Sequence, residues 1–90
     1  MRVEFTGRQI EVTEPIRKFT LDRLERFYAA KDILEAHCIL IADKHQRHIA
    51  EINLKMRDGF HNCKDESRDM YTSIASALYK LEIQIERSEK

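Results

Sequence analysis

Apolar and polar residues alternate at the start of the chain, with Val3 and Phe5 on one face and Arg2, Glu4 and Thr6 on the other. That two-residue period predicts a half-buried strand. Gly7 can end it, and Arg8 to Val12 makes a short connection. The period then changes: Ile16, Thr20, Leu24, Phe27 and Tyr28 recur at helical spacing, as on the buried stripe of an amphipathic helix. Thr13-Glu14-Pro15 precedes them. A hydroxyl for exposed amides, a carboxylate at the positive end of the dipole and a proline in the first turn together mark a helix start. The pattern carries this helix to about Ala29. Ala36 to Ala42, with Ile39 and Ile41, is a short apolar run that fits an interior strand. A polar connection, Lys44-His45-Gln46-Arg47, follows it. From His48 to Arg57 the alternation is clean: Ala50, Ile52, Leu54 and Met56 share one face, and Glu51, Asn53, Lys55 and Arg57 the other. Asp58-Gly59 is a hairpin signal, and Phe60 to about Asp65 is the returning strand. Ser67 or Asp69 can cap a second helix running to about Arg87, with Met70, Ile74, Ala77, Leu78, Leu81 and Ile85 as its apolar stripe.

The element order is therefore β-α-β-β-β-α, an α+β domain. Two apolar helical stripes need a sheet face to cover, so both helices are expected on one side of a four-stranded sheet. A right-handed crossover makes the first two strands parallel. Ninety residues fit one domain, 1–90, with one modest core. No repeat, linker or low-complexity segment interrupts it.

Composition adds limits. Hydrophobic residues make up 42% and charged residues 36%, as in a folded soluble domain. No apolar run approaches the ~20 residues that span a bilayer, and Glu4 stands where a signal peptide would build its apolar stretch. A cytoplasmic protein without membrane association is expected. Sixteen Lys and Arg balance sixteen Asp and Glu. A nucleic-acid contact would thus require charge sorted by face, since a basic domain is the usual footprint. Cys38 and Cys63 form no CxxC pair and sit in apolar or alternating stretches, as reduced thiols in or near a core do.

Several segments resemble a known family. Val3-Glu4-Phe5-Thr6-Gly7-Arg8-Gln9-Ile10-Glu11-Val12-Thr13-Glu14 with Ile16-Arg17 is similar to the start of the hibernation-promoting factors and the related ribosome-associated inhibitor, factor Y, some members of which are called modulators of an alternative sigma factor. Asp69-Met70-Tyr71, then Ile74, Ala77 and Lys80-Leu81-Glu82, resembles the start and middle of their last helix, and Lys44 with Arg47-His48 resembles their second hairpin. The resemblance spans nearly the whole chain. It implies a fold reminiscent of double-stranded RNA-binding domains. It also implies a stress and stationary-phase factor that binds ribosomal RNA of the small ribosomal subunit near the decoding centre and inhibits translation by occluding messenger and transfer RNA, with no catalysis. Longer members carry a C-terminal domain that pairs ribosomes. This chain stops at Lys90, just after the last helix, so a short form is expected, with any ribosome pairing left to a separate factor.

By resemblance, the family's basic helix positions fall on Arg17, Arg23, Arg26, Lys80 and Arg87, and Lys44, Arg47 and His48 extend the RNA-binding surface from the hairpin. Helical wheels put Arg23 and Arg26 on one flank of the first stripe beside an exposed Phe19, with Glu14, Asp22 and Glu25 toward the other. On the second helix Lys80 and Arg87 lie opposite Glu82 and Glu86. If the helices run parallel, both basic flanks point the same lateral way. Mixed charge is also what ordinary exposed helices carry, and Arg17, near the stripe's edge, can instead support the fold through an ion pair. The family's last helix usually ends in a lysine- and arginine-rich tail, whereas here it reads Ile83-Gln84-Ile85-Glu86-Arg87-Ser88-Glu89-Lys90. Weaker or more salt-sensitive ribosome binding is expected, because each lost phosphate contact removes about one unit of salt slope.

Other chemistry has less behind it. His45, His48, Cys38 and Cys63 could compose a zinc site, but they sit on a loop and two separate strands, so no metal and no cofactor is expected. His37 and His61 read as strand residues with ordinary hydrogen bonds. The only glycines are Gly7 and Gly59, too few for a phosphate-cradling loop. Tyr79 lies opposite the stripe and suits an outside contact better than Tyr71, at the core's edge. The second function class is a protein-binding regulator. The sheet face away from the helices, carrying Ile39 and Ile41 or Cys38 and Leu40 according to register, can form a weak homodimer. DNA is not an expected partner.

Overall fold

The computed structural model describes residues 1–27 and 30–88. Strand β1 (Arg2–Arg8) leads into helix α1 (Glu14–Glu25), and a 3-10 turn (Ala30–Asp32) leads into β2 (Ile33–Ala42). Then follow β3 (His48–Met56), β4 (Gly59–Ser67) and helix α2 (Met70–Ser88). The four strands form one sheet in the order β1-β2-β3-β4. β1 runs parallel to β2, and the other pairs are antiparallel. This is the expected β-α-β-β-β-α order.

Both helices cover one face of the sheet. Ile16, Thr20, Leu24 and Phe27 from α1 and its exit, and Met70, Ile74, Ala77, Leu78, Leu81 and Ile85 from α2, are all buried against Ala36, Cys38 and Leu40 of β2 and Ala50, Ile52, Leu54 and Met56 of β3. Register thus puts Cys38 and Leu40 inward and leaves Ile39 and Ile41 on the bare face. Thr20 is buried because its Oγ1 donates to the Ile16 carbonyl at 2.9 Å, so the hydroxyl carries no unpaired polarity into the core.

Helix ends follow local chemistry. Thr13 caps α1 from an extended backbone, its Oγ1 accepting from the Ile16 amide at 3.4 Å. α1 stops at Glu25, not Ala29: the amides of Arg26 and Phe27 bond to the carbonyls of Arg23 and Leu24, each at 3.2 Å, tightening the last turn. Tyr28 and Ala29 lie outside the described residues. Of the two candidate caps for α2, Asp69 does the capping. Its Oδ2 accepts from the Thr72 amide at 3.0 Å and the Thr72 hydroxyl at 2.9 Å, while Ser67 Oγ accepts from the Asp69 amide at 3.2 Å.

Strand limits are wider than the alternation suggested. β1 passes through Gly7, which pairs with Leu40, and ends on Arg8, which pairs with Ile41. Gly7 is needed not to stop the strand but because a Cβ there would strike the Ile10 carbonyl as the chain folds back through Gln9, at φ 59°. β2 begins three residues early, at Ile33, across an irregularity between Ile33 and Glu35. Met56 pairs with Gly59, so the hairpin turns on Arg57 and Asp58, and Gly59 takes the positive φ of 137° as the first residue of β4.

Candidate nucleic-acid interface

The helices run in the same direction. Phe19 meets Tyr71 edge-on at 5.1 Å, and farther along both helices Arg23, Arg26 and Phe27 line one groove with Ala75, Leu78, Tyr79 and Glu82. Phe19 is half-buried rather than exposed, because Tyr71 packs against it and Arg23 covers it. The Arg23 guanidinium sits 4.5 Å from the centre of the Phe19 ring, which fixes its position without neutralising it. Among the described residues no carboxylate comes within ion-pair distance of Arg23 or Arg26. Tyr79, 68% exposed, stands at the same groove. Two cations, one of them held against an aromatic ring, beside an open tyrosine ring can take a phosphate and a stacked base.

Lys80 and Arg87 occupy the far side of α2, where they flank a shallow depression with Ile83 and Gln84. Both basic flanks do point the same lateral way, but the body of α2 and the Glu82 carboxylate lie between them, so the cations form two patches and not one strip. Lys80 is also engaged: its Nζ lies 3.1 Å from Asp65 Oδ2, and the Ser76 hydroxyl donates to the same oxygen. The Ser76 hydrogen bond first, then Lys80, holds the Asp65 carboxyl below its usual range. This clamp joins β4 to α2 across the long sequence gap between Asp65 and Ser76, and no local sequence signal reveals it.

The remaining sequence-derived residues sit toward the other end of the helices. Arg17 lies 3.7 Å from Glu14 and 5.1 Å from the centre of the Phe5 ring, a fold-supporting placement. Arg47 Nε lies 3.0 Å from Asp43 Oδ2, and its Nη1 lies 3.6 Å from Glu66. Asp43 Oδ1 accepts from the amides of His45 and Arg47 at 2.9 and 3.0 Å, which shapes the turn. The Arg47 backbone amide is the main reason the Asp43 carboxyl is held low. Lys44 is exposed at the tip, without an ion pair among the described residues. His48 is not at the tip. It opens β3, opposite Ala42 and Ser67, on the face that carries the core, and its carbonyl accepts from the Ser73 hydroxyl at 2.6 Å.

The metal-ligand and nucleophile candidates separate. Cys38 and Cys63 both pair with Ile52, from opposite sides of β3. Two inter-strand spacings put their backbones about 10 Å apart, beyond disulfide reach, and both are free thiols. Burial pushes the Cys38 thiol up to about 12, and burial also raises Cys63. His37 is hydrogen-bonded to Thr6 at 2.8 Å, and His61 lies 3.4 Å from Asp58. Among the described residues no group of three or more His, Cys, Asp or Glu side chains is arranged to hold a metal, and no helix is long and apolar enough to cross a membrane.

The architecture is a two-layer α+β domain with parallel helices on one face, a basic aromatic groove between them and a bare second face. The chain belongs to the family described as Sigma 54 modulation protein / S30EA ribosomal protein, whose model matches residues 3–90. It is 30% identical to a ribosome hibernation promoting factor of Pseudomonas putida strain KT2440, over all of this chain and 88% of that one. It is 29% identical to the Salmonella typhimurium factor of the same name, over 97% of this chain and 92% of that one. Two solved structures share the fold. A ribosomal subunit interface protein from Coxiella burnetii superposes with a TM-score of 0.92 at 27% identity, covering 99% of this chain and 98% of that one. The N-terminal domain of Thermus thermophilus Protein Y superposes with a TM-score of 0.86 at 28% identity, covering 97% and 98%.

Proposed function

We propose that this protein is a ribosome hibernation factor that binds the small ribosomal subunit through its RNA near the decoding centre. By occupying that channel it keeps out messenger and transfer RNA, and so inhibits translation in stress and stationary phase by occupancy, without catalysing a reaction. The family and the names of its relatives support the ribosome as partner. The observation that carries the reading on this chain is the α1–α2 groove, where Arg23 and Arg26, outside ion pairs among the described residues, stand beside the exposed ring of Tyr79, with Glu82 on the α2 side. Phosphate contacts supply most of the sequence-independent affinity for RNA, and an uncommitted arginine gives up no internal ion pair to make one. Lys44 and Arg87 are likewise outside ion pairs among the described residues and extend the contact from either end. Arg17, Arg47 and Lys80 would first have to share their present carboxylate partners, and His48 acts by supporting β3.

The test is co-sedimentation with purified small subunits at low salt. Arg23→Glu with Arg26→Glu is expected to weaken association at least tenfold, while the circular dichroism of the domain stays unchanged. A folded double variant that still co-sediments like the parent would remove the groove from the site. Indifference of the parent protein to small subunits, even in dilute buffer, would favour a protein-binding regulator instead.

A further inference from the structure

The sheet face away from the helices has no partner among the described residues, and its register makes it readable as a grid. Four rows cross the sheet from β1 to β4: Arg2-Glu35-Lys55-Phe60, Glu4-His37-Asn53-Asn62, Thr6-Ile39-Glu51-Lys64 and Arg8-Ile41-Ile49-Glu66. Phe60 is 80% exposed, more than any other large apolar side chain among the described residues. A shallow depression beside it is lined by Arg2, Glu4, Glu35, His37, Asn53 and Lys55 among others.

We infer that this face binds a second copy of the chain, sheet to sheet, about a two-fold axis that runs along the strands midway between β2 and β3. Such an axis lays each row over its own reverse. In the row at the C-terminal end of β1, Arg8 then meets Glu66 of the other copy, and Ile41 meets Ile49. In the row at the opposite end, Glu35 meets Lys55, and Arg2 lies over the ring of Phe60, a cation–π arrangement. Glu4 with Asn62 and His37 with Asn53 can hydrogen-bond across the middle. Only the third row is indifferent, with Ile39 over the stem of Glu51.

The other in-plane two-fold axis, across the strands, would lay Arg2 over Arg8 and Phe60 over Glu66. Charge therefore selects the first axis and disfavours the second. Four strands ~4.8 Å apart and ~3.3 Å per residue give a footprint of about 450 Å². Counted on both partners that is about 900 Å², below the ~1,200 Å² at which standard specific interfaces begin, so the association is weak and transient. The two helix layers lie outside such a dimer. Self-association and the proposed RNA contact thus use different faces, and this inference does not depend on the ribosome.

Arg8 and Glu66 stand on opposite edges of one sheet, too far apart to touch within a chain, but Glu66 lies 3.6 Å from Arg47 of its own chain, so rescue by the double swap, and not the Glu66 reversal alone, reports contact between chains. Sedimentation equilibrium from about 5 to 500 μM is expected to show a monomer–dimer equilibrium. Arg8→Glu alone and Glu66→Arg alone should each weaken it at least tenfold, and the double swap should restore it to within about threefold, with circular dichroism unchanged throughout. A protein that stays monomeric at the highest concentration would overturn the proposal, as would a dimer indifferent to the single reversals. Failure of the folded double swap to rescue would overturn it too. Hydrogen-exchange protection of the bare face that requires small subunits, and is absent at high protein concentration, would assign the face to the ribosome.

Discussion

Arg23 and Lys80 carry the same charge on the same layer of the molecule, yet their surroundings give them different roles. Arg23 rests on Phe19 and keeps its charge available; Lys80 is held by Asp65. The i, i+4 spacing of Phe19 and Arg23 is visible in the sequence and explains their contact. The Asp65 contact is invisible there, because it depends on how β4 and α2 dock. The cysteines make the same point. Both lie in apolar or alternating stretches, but Cys38 is fully buried at the sheet centre, with its thiol pushed up to about 12, while Cys63 is half-buried, Lys80 opposes part of its upward shift, and its thiol donates to Gln84 at 3.4 Å. Only the thiolate alkylates. In native protein at pH 8, iodoacetamide is therefore expected to modify Cys63 first and to reach Cys38 only in denaturant. Peptide mass mapping checks this, and equal labelling of the two would contradict the burial assigned to Cys38.

At the scale of elements, periodicity was a sufficient guide to what exists, and weaker on where each element ends. Every residue of the α2 stripe is buried, because a 3.6-residue period can satisfy a single sheet face in only one way. Ends depend on finer balances: α1 stops short of its pattern through a tightened last turn, and β1 outlasts Gly7 because β2 offers partners beyond it. α2 is fixed to β4 by the Asp65–Ser76–Lys80 clamp, and that clamp is pH-sensitive. The folded value of Asp65 lies below its ordinary one, so its stabilisation is full above about pH 4 and fades as pH falls through the lowered value. Asp65→Asn is expected to lower the melting temperature at pH 7 and to cost progressively less from pH 4 to pH 2.5. Thermal melts across that range check it. A deficit that stays constant through acid would show that the carboxylate charge is not what the clamp uses.

At the scale of the whole molecule, a net charge of zero leaves little long-range attraction for RNA, so the proposed binding has to come from close contacts. Of the seven sequence-derived Lys and Arg residues, four, Arg23, Arg26, Lys44 and Arg87, stand outside ion pairs among the described residues. With nearly one unit of slope per phosphate neutralised, the logarithm of small-subunit affinity is expected to fall with that of salt concentration at a slope of about −3 to −4. Replacing Arg23 or Arg26 by Gln should each reduce it by about 1. A slope of about −6 to −7, measured by co-sedimentation from 50 to 300 mM salt, would mean that Arg17, Arg47, His48 and Lys80 also engage. The sequence by itself determined the order of elements, the inward faces of both helices and of the β3 strand, and the parallel first pair, because burial at a fixed period and crossover handedness are local or nearly local constraints. Only the tertiary structure decided which cations stay free, whether they join, and which β2 residues face out, since those depend on strand register and on side chains brought together from far apart in the chain.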